Sequence, residues 1–224
     1  MKLIKRLIIL ILVIGAFLAG SAYHEGRQIY KQAVADAPIE EKVEQIQAID
    51  HYTPYSQLPE TYVDAVIAAE DKRFRAHKGY DIMSIGRAIW NNISAGELRE
   101  GGSTITQQLA RNMYFEQDKK ISRKLAEIFV ARDIEKLYDK DEILELYVNS
   151  IYFGSGYYNI YDAAMGYYGK KPSQLTDYEA TMLAGVPNAP SAYSPDVNPE
   201  LAEQRRRQVI VCMVEEGYID CLLY

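Results

Sequence analysis

Val63, Val66, Ile67 and Glu70 follow one another at i, i+3, i+4 and i+7. That spacing predicts one face of a helix, with a carboxylate closing an otherwise apolar stripe. A carboxylate placed there, against the negative end of the helix dipole and away from water, is a better base than one on the surface. Taking a proton from a sugar hydroxyl needs such a base. The plainer alternative is a helix-end glutamate turned to solvent or paired with Lys72 or Arg73. The loop that follows, Asp71-Lys72-Arg73-Phe74-Arg75-Ala76-His77-Lys78-Gly79, sets four basic residues and a histidine around one aromatic. Phe74 reads as its anchor in the core, and His77 as a structural hydrogen-bonding residue.

Further on, Gly101-Gly102-Ser103-Thr104-Ile105-Thr106-Gln107-Gln108-Leu109-Ala110-Arg111-Asn112 gathers hydroxyl, amide and guanidinium groups behind two glycines. Glycine lets the backbone come close to a ligand, and Ser103, Thr104, Gln107, Gln108 and Arg111 then offer bonds to phosphate or sugar oxygens. The segment lacks G-x-x-x-x-G-K-[ST], so it is no nucleotide P-loop. Ser103 or Thr104 also suits a helix cap, and one set of residues can serve both ends. A third group is Arg123, Lys124 and Glu127. Arg123 and Glu127 have the i, i+4 spacing of an ordinary surface ion pair. Yet Glu127 shares its helical face with Val130, Ala131 and Ile134, an odd place for a solvated pair. Two carboxylates with three cations suit glycosyl transfer from a phosphate leaving group.

The surrounding pattern is helical almost throughout, with no run of period-two alternation, which predicts a mainly α fold. Pro59 suits the first position of the helix ending at Glu70. Asp81 is a candidate cap for a helix carrying Ile82, Ile85 and Ile89, and Ser122 for a long one reaching about Tyr138. Asp139 with Glu142, and Thr176 with Glu179, have capping-box spacing. The proline-punctuated segment 188–199 reads as irregular or extended.

Lys2, Lys5 and Arg6 precede an uncharged stretch, residues 7–23. At about 1.5 Å per residue it covers roughly 25 Å, a little less than a hydrocarbon core. Gly20-Ser21-Ala22 could serve as a signal cleavage site, but the stretch exceeds the roughly 7 to 15 residues of a signal core and reads better as an anchor. The basic residues then stay in the cytoplasm and the rest crosses. Residues 1–23 are thus read as basic residues plus anchor, 24–50 as a juxtamembrane stalk, and 51–224 as one folded domain. In 224 residues there is room for one such domain. The net charge of −6, with 25 Lys and Arg against 31 Asp and Glu, argues against nucleic acid as a partner. Cys212 and Cys221 could pair in an oxidising compartment or remain thiols. His24, His51 and His77 are too scattered for a zinc pattern.

Five ordered blocks resemble the peptidoglycan glycosyltransferases of family 51, the membrane-anchored polymerases that extend glycan strands from lipid II. They are residues 70–79; 101–112; Arg123-Lys124-Leu125-Ala126-Glu127; Lys140-Asp141-Glu142-Ile143-Leu144-Glu145-Leu146-Tyr147-Val148-Asn149; and 163–195, with Tyr168-Gly169-Lys170 and Leu183-Ala184-Gly185. The resemblance covers the chain from about residue 50 onward. It implies a lysozyme-like helical lobe with a smaller membrane-facing subdomain. It implies that Glu70 is the general base on the 4-hydroxyl of the acceptor N-acetylglucosamine, which attacks C1 of the donor N-acetylmuramic acid and displaces polyprenyl pyrophosphate with inversion. Glu127 would support the pyrophosphate, through Mg²⁺ or Mn²⁺ where a divalent cation takes part, or orient its neighbours.

Ser103, Thr104, Gln108, Arg111, Asn112, Arg123 and Lys124 would line the donor site, with Asp71, Phe74, His77, Gly101 and Gly102 as structural neighbours. The implied partners are lipid II, the growing strand, membrane lipids and other wall-synthesis proteins such as transpeptidases. The implied place is the bacterial cytoplasmic membrane, with the catalytic domain outside. Position 111 departs from the pattern: it is commonly lysine in the family, and arginine differs from lysine at a tight phosphate site. No S-x-x-K occurs, so a penicillin-binding transpeptidase domain is not expected within these residues. Two other readings stay open: a lysozyme-like enzyme cleaving glycan with Glu70 as acid, and a non-catalytic scaffold that binds lipid II.

Overall fold

A computed structural model describes residues 2–95, 101–115 and 120–220, and among these no strand occurs. The architecture is mainly α, as expected. Helix α1 (Lys2–Asp36) leads into α2 (Ile39–Gln47), and α3 (Glu60–Glu70) and α4 (Ile82–Ala95) follow. Next come α5 (Ile105–Tyr114), α6 (Ile121–Leu137), α7 (Lys140–Val148), α8 (Ile160–Tyr168) and α9 (Asp177–Gly185). The short α10 (Pro190–Tyr193) and the long α11 (Pro199–Glu215) complete the series.

The lobe is built round apolar faces that the sequence periodicity places correctly. Val63, Val66 and Ile67 of α3 are buried, together with Leu109 of α5, Val130 and Ile134 of α6, Leu144 and Tyr147 of α7, Leu183 of α9 and Val209 of α11. Helix α3 packs on α9 and α11, and α5 on α6 and α7. Local signals fix the helix starts. Asp139 and Thr176 each form the expected capping box with Glu142 and Glu179. Asp81 caps α4, accepting from the Met83 amide at 3.0 Å and the Ser84 hydroxyl at 2.7 Å.

Several expectations need correction. Pro59 lies just outside α3, as the residue before its first turn. Ser122 does not cap α6: Lys120 holds the extended cap position, and Ser122 is buried within the first turn, under α1. The segment 188–199 is not wholly irregular, because Pro190 and Pro199 each sit where a missing N–H costs nothing and open α10 and α11. Residues 24–50 are not a loose stalk. Helix α1 runs unbroken to Asp36, and Ile39 and Val43 of α2 enter the core.

The junction of α1 with α6 depends on Gly26. A Cβ there would lie 2.6 Å from the Ser122 carbonyl oxygen and 2.8 Å from Leu125 Cβ, so only glycine allows this approach. Tyr23 and Tyr30 pack on Phe129 beside it, and the Tyr30 hydroxyl donates to Asp133 Oδ2 at 2.5 Å. Gly26→Ala is expected to destabilise the protein by about 2 kcal/mol through overpacking, a drop in Tm of roughly 4 to 8 °C. Thermal unfolding of the detergent-solubilised protein measures this; an unchanged Tm would show that α1 yields freely.

Helix α4 behaves differently from the others. Ile82, Met83, Trp90 and Ile93 form one apolar stripe, and all point outward, 65% to 73% exposed. Of the three isoleucines expected on this helix, Ile82 faces outward, Ile85 packs on Gly102, and the Ile89 side chain lies outside the described residues. An apolar face this bare marks a surface suited to contact with another apolar surface.

Candidate active site

Glu70 ends α3 with a side chain 8% exposed. Its Oε2 accepts from Gln108 Nε2 at 2.8 Å, and Tyr147 donates its hydroxyl to the other end of that amide at 3.2 Å. The Tyr147 bond fixes which way the amide points, so an N–H rather than a carbonyl faces the carboxylate. Burial and the nearby Glu70 charge raise the Tyr147 hydroxyl well above its ordinary range, so it stays a donor. Glu70 Oε1 has no hydrogen-bond partner and faces Arg205 Nη2 of α11 at 3.6 Å. One oxygen is thus held by a hydrogen bond, and the other is buried against Arg205 with no hydrogen bond of its own.

The loop after Glu70 is tied down by buried polar bonds. Asp71 Oδ2 accepts from the Ile105 amide at 3.0 Å and from His77 Nε2 at 2.8 Å. The Gly79 amide donates to His77 Nδ1 at 3.3 Å, which leaves the hydrogen on Nε2. Phe74 is fully buried, with Lys140 Nζ 4.5 Å above its ring. These contacts hold the end of α3 against the start of α5.

The glycine-rich segment divides its labour. Thr104 accepts from the Gln107 amide at 3.1 Å while Gln107 Oε1 accepts from the Thr104 amide at 3.0 Å, a full capping box for α5. The Thr104 hydroxyl also donates to the Gly79 carbonyl at 2.8 Å. With both roles filled and the residue buried, its hydroxyl holds the fold rather than offering itself to a ligand. Gly102 is needed for packing, since a Cβ there would meet Ile85 Cα at 3.1 Å, whereas Gly101 has open space.

Lys124 Nζ donates to Ser103 Oγ at 2.7 Å and to Glu127 Oε2 at 2.9 Å, and Arg123 bonds Glu127 Oε1. Glu127 is 1% exposed, so its charge is matched by these two cations rather than by water. Burial, then Arg111 and Arg123, push the Lys124 ammonium down to about 8. Two clefts flank this strip. One, about 720 Å³, is lined by Glu70, Gly101, Gly102, Ser103, Arg205 and Cys212 among others. The second, about 670 Å³, is lined by Gln108, Arg111, Asn112 and Arg123, and Asn188 borders both. The expected donor residues are therefore not one pocket. They are a cationic strip, from Ser103 through Lys124 and Glu127 to Arg123, joining two clefts that meet at Glu70 and Gln108. Among the described residues, no three His, Cys, Asp or Glu side chains gather as a metal site. Both Glu127 oxygens are engaged by cations, so this donor set does not fit a resident Mg²⁺ or Mn²⁺.

The family profile described as Transglycosylase matches residues 38–214, most of the chain and the whole of this site. The chain belongs to the transglycosylase family. Among curated relatives in that family, a protein of Cupriavidus necator, named provisionally as a transglycosylase, is 48% identical over 169 residues, 75% of this chain and 73% of that protein. Penicillin-binding protein 1A of Neisseria flavescens is 47% identical over 168 residues, 75% of this chain and 21% of that protein. Penicillin-binding protein 1F of Bacillus subtilis is 44% identical over 165 residues, 74% of this chain and 23% of that protein. The chain thus spans less than a quarter of the two penicillin-binding relatives.

Reasoning from sequence missed Arg205. A run of three arginines, 205–207, was its only local sign, and nothing local links it to Glu70. Cys212 is a half-buried thiol at the rim of the first cleft, raised by burial; Cys221 lies outside the described residues.

Proposed function

We propose that this chain is a peptidoglycan glycosyltransferase that joins lipid II units by β-1,4 linkage. The observation that carries the reading is Glu70, one oxygen fixed by Gln108 and the other without a hydrogen bond, facing Arg205 at the meeting of two clefts beside a cationic strip. The free oxygen takes the proton from the 4-hydroxyl of the acceptor N-acetylglucosamine as that oxygen attacks C1 of the donor N-acetylmuramic acid. The C1–O bond to the diphosphate breaks with inversion, and the leaving electrons go to polyprenyl pyrophosphate. Arg111, Arg123 and Lys124 stabilise that leaving charge. Mg²⁺ or Mn²⁺ enters this proposal as a companion of the substrate diphosphate. The strand produced is what transpeptidases cross-link, so such enzymes are the partners it implies.

Helix α1 contains a segment long and apolar enough to cross a membrane, and the protein covers none of it. In the proposal it anchors the enzyme with Lys2, Lys5 and Arg6 in the cytoplasm and the lobe outside. Purified full-length protein given lipid II should yield glycan polymer with Mg²⁺, and more slowly with a chelator. Cleavage of preformed peptidoglycan without lipid II consumption would overturn the reading, as would saturable lipid II binding without turnover.

A pH dependence follows from Lys124. Its cationic form is the one that can meet a diphosphate, so kcat/KM should fall as pH rises through about 8. Its contribution to stability runs the other way. The folded group loses its proton near 8 and the unfolded one near 10.5, so between these values the unfolded state binds more protons and stability rises with pH. Initial rates and unfolding midpoints over pH 7 to 10 check both signs.

A further inference from the structure

We propose that the junction of α1 with α6 holds the phosphate of an anionic membrane lipid. A cavity of about 280 Å³ opens there, with Arg27 on one wall and Arg132 and Lys136 on the other. Tyr23, Tyr30 and Phe129 complete its sides. The helical spacing explains the arrangement. Tyr23, Arg27 and Tyr30 share one face of α1, and Phe129, Arg132 and Lys136 one face of α6.

Three features point to a phosphate. First, the cavity is positively charged in a chain whose net charge is −6. Its one acid, Asp133, is already satisfied, with Oδ1 accepting from Lys136 at 2.5 Å and Oδ2 from Tyr30. Among the described residues neither Arg27 nor Arg132 takes a carboxylate partner. Both are exposed and open toward the same space. Second, the uncharged stretch ends at Tyr23, and Arg27 is one turn further on, about 6 Å along the helix. That distance matches the headgroup layer outside a hydrocarbon core. Third, the aromatic side chains are those that sit at a membrane interface, an apolar body with a polar edge. Paired guanidinium groups beside such rings are suited to a lipid phosphate, while the acyl chains lie along the bare apolar face of α1.

The ligand could equally be free phosphate by chemistry alone, and the test separates the two. Full-length wild type and Arg27→Gln/Arg132→Gln are placed in nanodiscs of equimolar phosphatidylcholine and phosphatidylglycerol. Lipids retained on release are then counted by native mass spectrometry. Lys2, Lys5 and Arg6 also attract anionic lipid, so the comparison is between variants, with Lys5→Gln/Arg6→Gln as control. Wild type and control should keep one phosphatidylglycerol that the double variant loses, its occupancy falling at least fivefold. Adding inorganic phosphate in large excess over the protein should leave that lipid in place, because the free anion lacks the acyl chains that lie along α1. Equal retention in wild type and double variant overturns the proposal, as does displacement by inorganic phosphate or equal retention of phosphatidylcholine. The readout needs no turnover, so it stands apart from the glycosyltransferase reading.

Discussion

Glu70→Gln is expected to lower lipid II polymerisation by about a thousandfold or more while the protein remains folded and still binds lipid II. General-base catalysis is worth roughly 10² to 10⁴ in rate, and Glu70 Oε1 is, among the described residues, the one buried carboxylate oxygen without a hydrogen-bond partner. Glutamine keeps the volume and can still accept from Gln108, so the α3–α5 contact survives. What is lost is the site for the proton from the acceptor hydroxyl. Arg205, 3.6 Å away, also loses its nearest negative charge, which should loosen its hold near the cleft without unfolding α11. Polymer yield on gels gives the rate, and a melting curve with a lipid II binding isotherm separates chemistry from folding. Near-wild-type polymerisation would remove Glu70 from the role of base. A melting point lowered by more than about 10 °C would instead mark the residue as structural.

The features readable from sequence were those written in a few neighbouring residues. The stripe of Val63, Val66 and Ile67 places Glu70, because a helical period needs only one turn to show itself. The Asp139 and Thr176 boxes are likewise local. The same locality misleads where one residue type serves two ends. Thr104 and Gln107 have the groups a ligand would want, but an α5 start needs its amides satisfied, and the capping box takes them first. Gln108, expected at the donor site, holds Glu70 at the edge of the second cleft, a bond between residues on different helices that no spacing announces.

Ser122 and residues 24–50 failed for the converse reason. Ser122 has the hydroxyl of a cap and residues 24–50 the mixed polarity of a stalk, yet α1 docks on α6 through Gly26 and covers Ser122. Arg205 belongs to this class also. Its meeting with Glu70 depends on α11 packing against α3, a tertiary fact.

Glu127→Gln should produce the second large loss, about 100-fold in kcat/KM at pH 7.5, by a different route from Glu70. Glu127 bonds Arg123 and Lys124 with one oxygen each from a site almost closed to water. A glutamine there keeps one acceptor but turns an N–H₂ group toward the other cation, so one of the two must move. Lys124 is already lowered to about 8 with this carboxylate 2.9 Å away. Removing the negative charge takes away what favours the ammonium, while Arg111 and Arg123 continue to oppose it. The ammonium should then titrate lower, and the alkaline limb of the kcat/KM profile should move below 8. Part of the lost rate should return as pH is lowered toward 6, because the strip regains its cation. Stability should drop by about 2 kcal/mol, less than for a fully buried pair because Lys124 keeps some contact with water. A profile that keeps its limb near 8, with rate lost equally at every pH, would mean that Glu127 acts on the substrate directly rather than as counter-charge to Lys124.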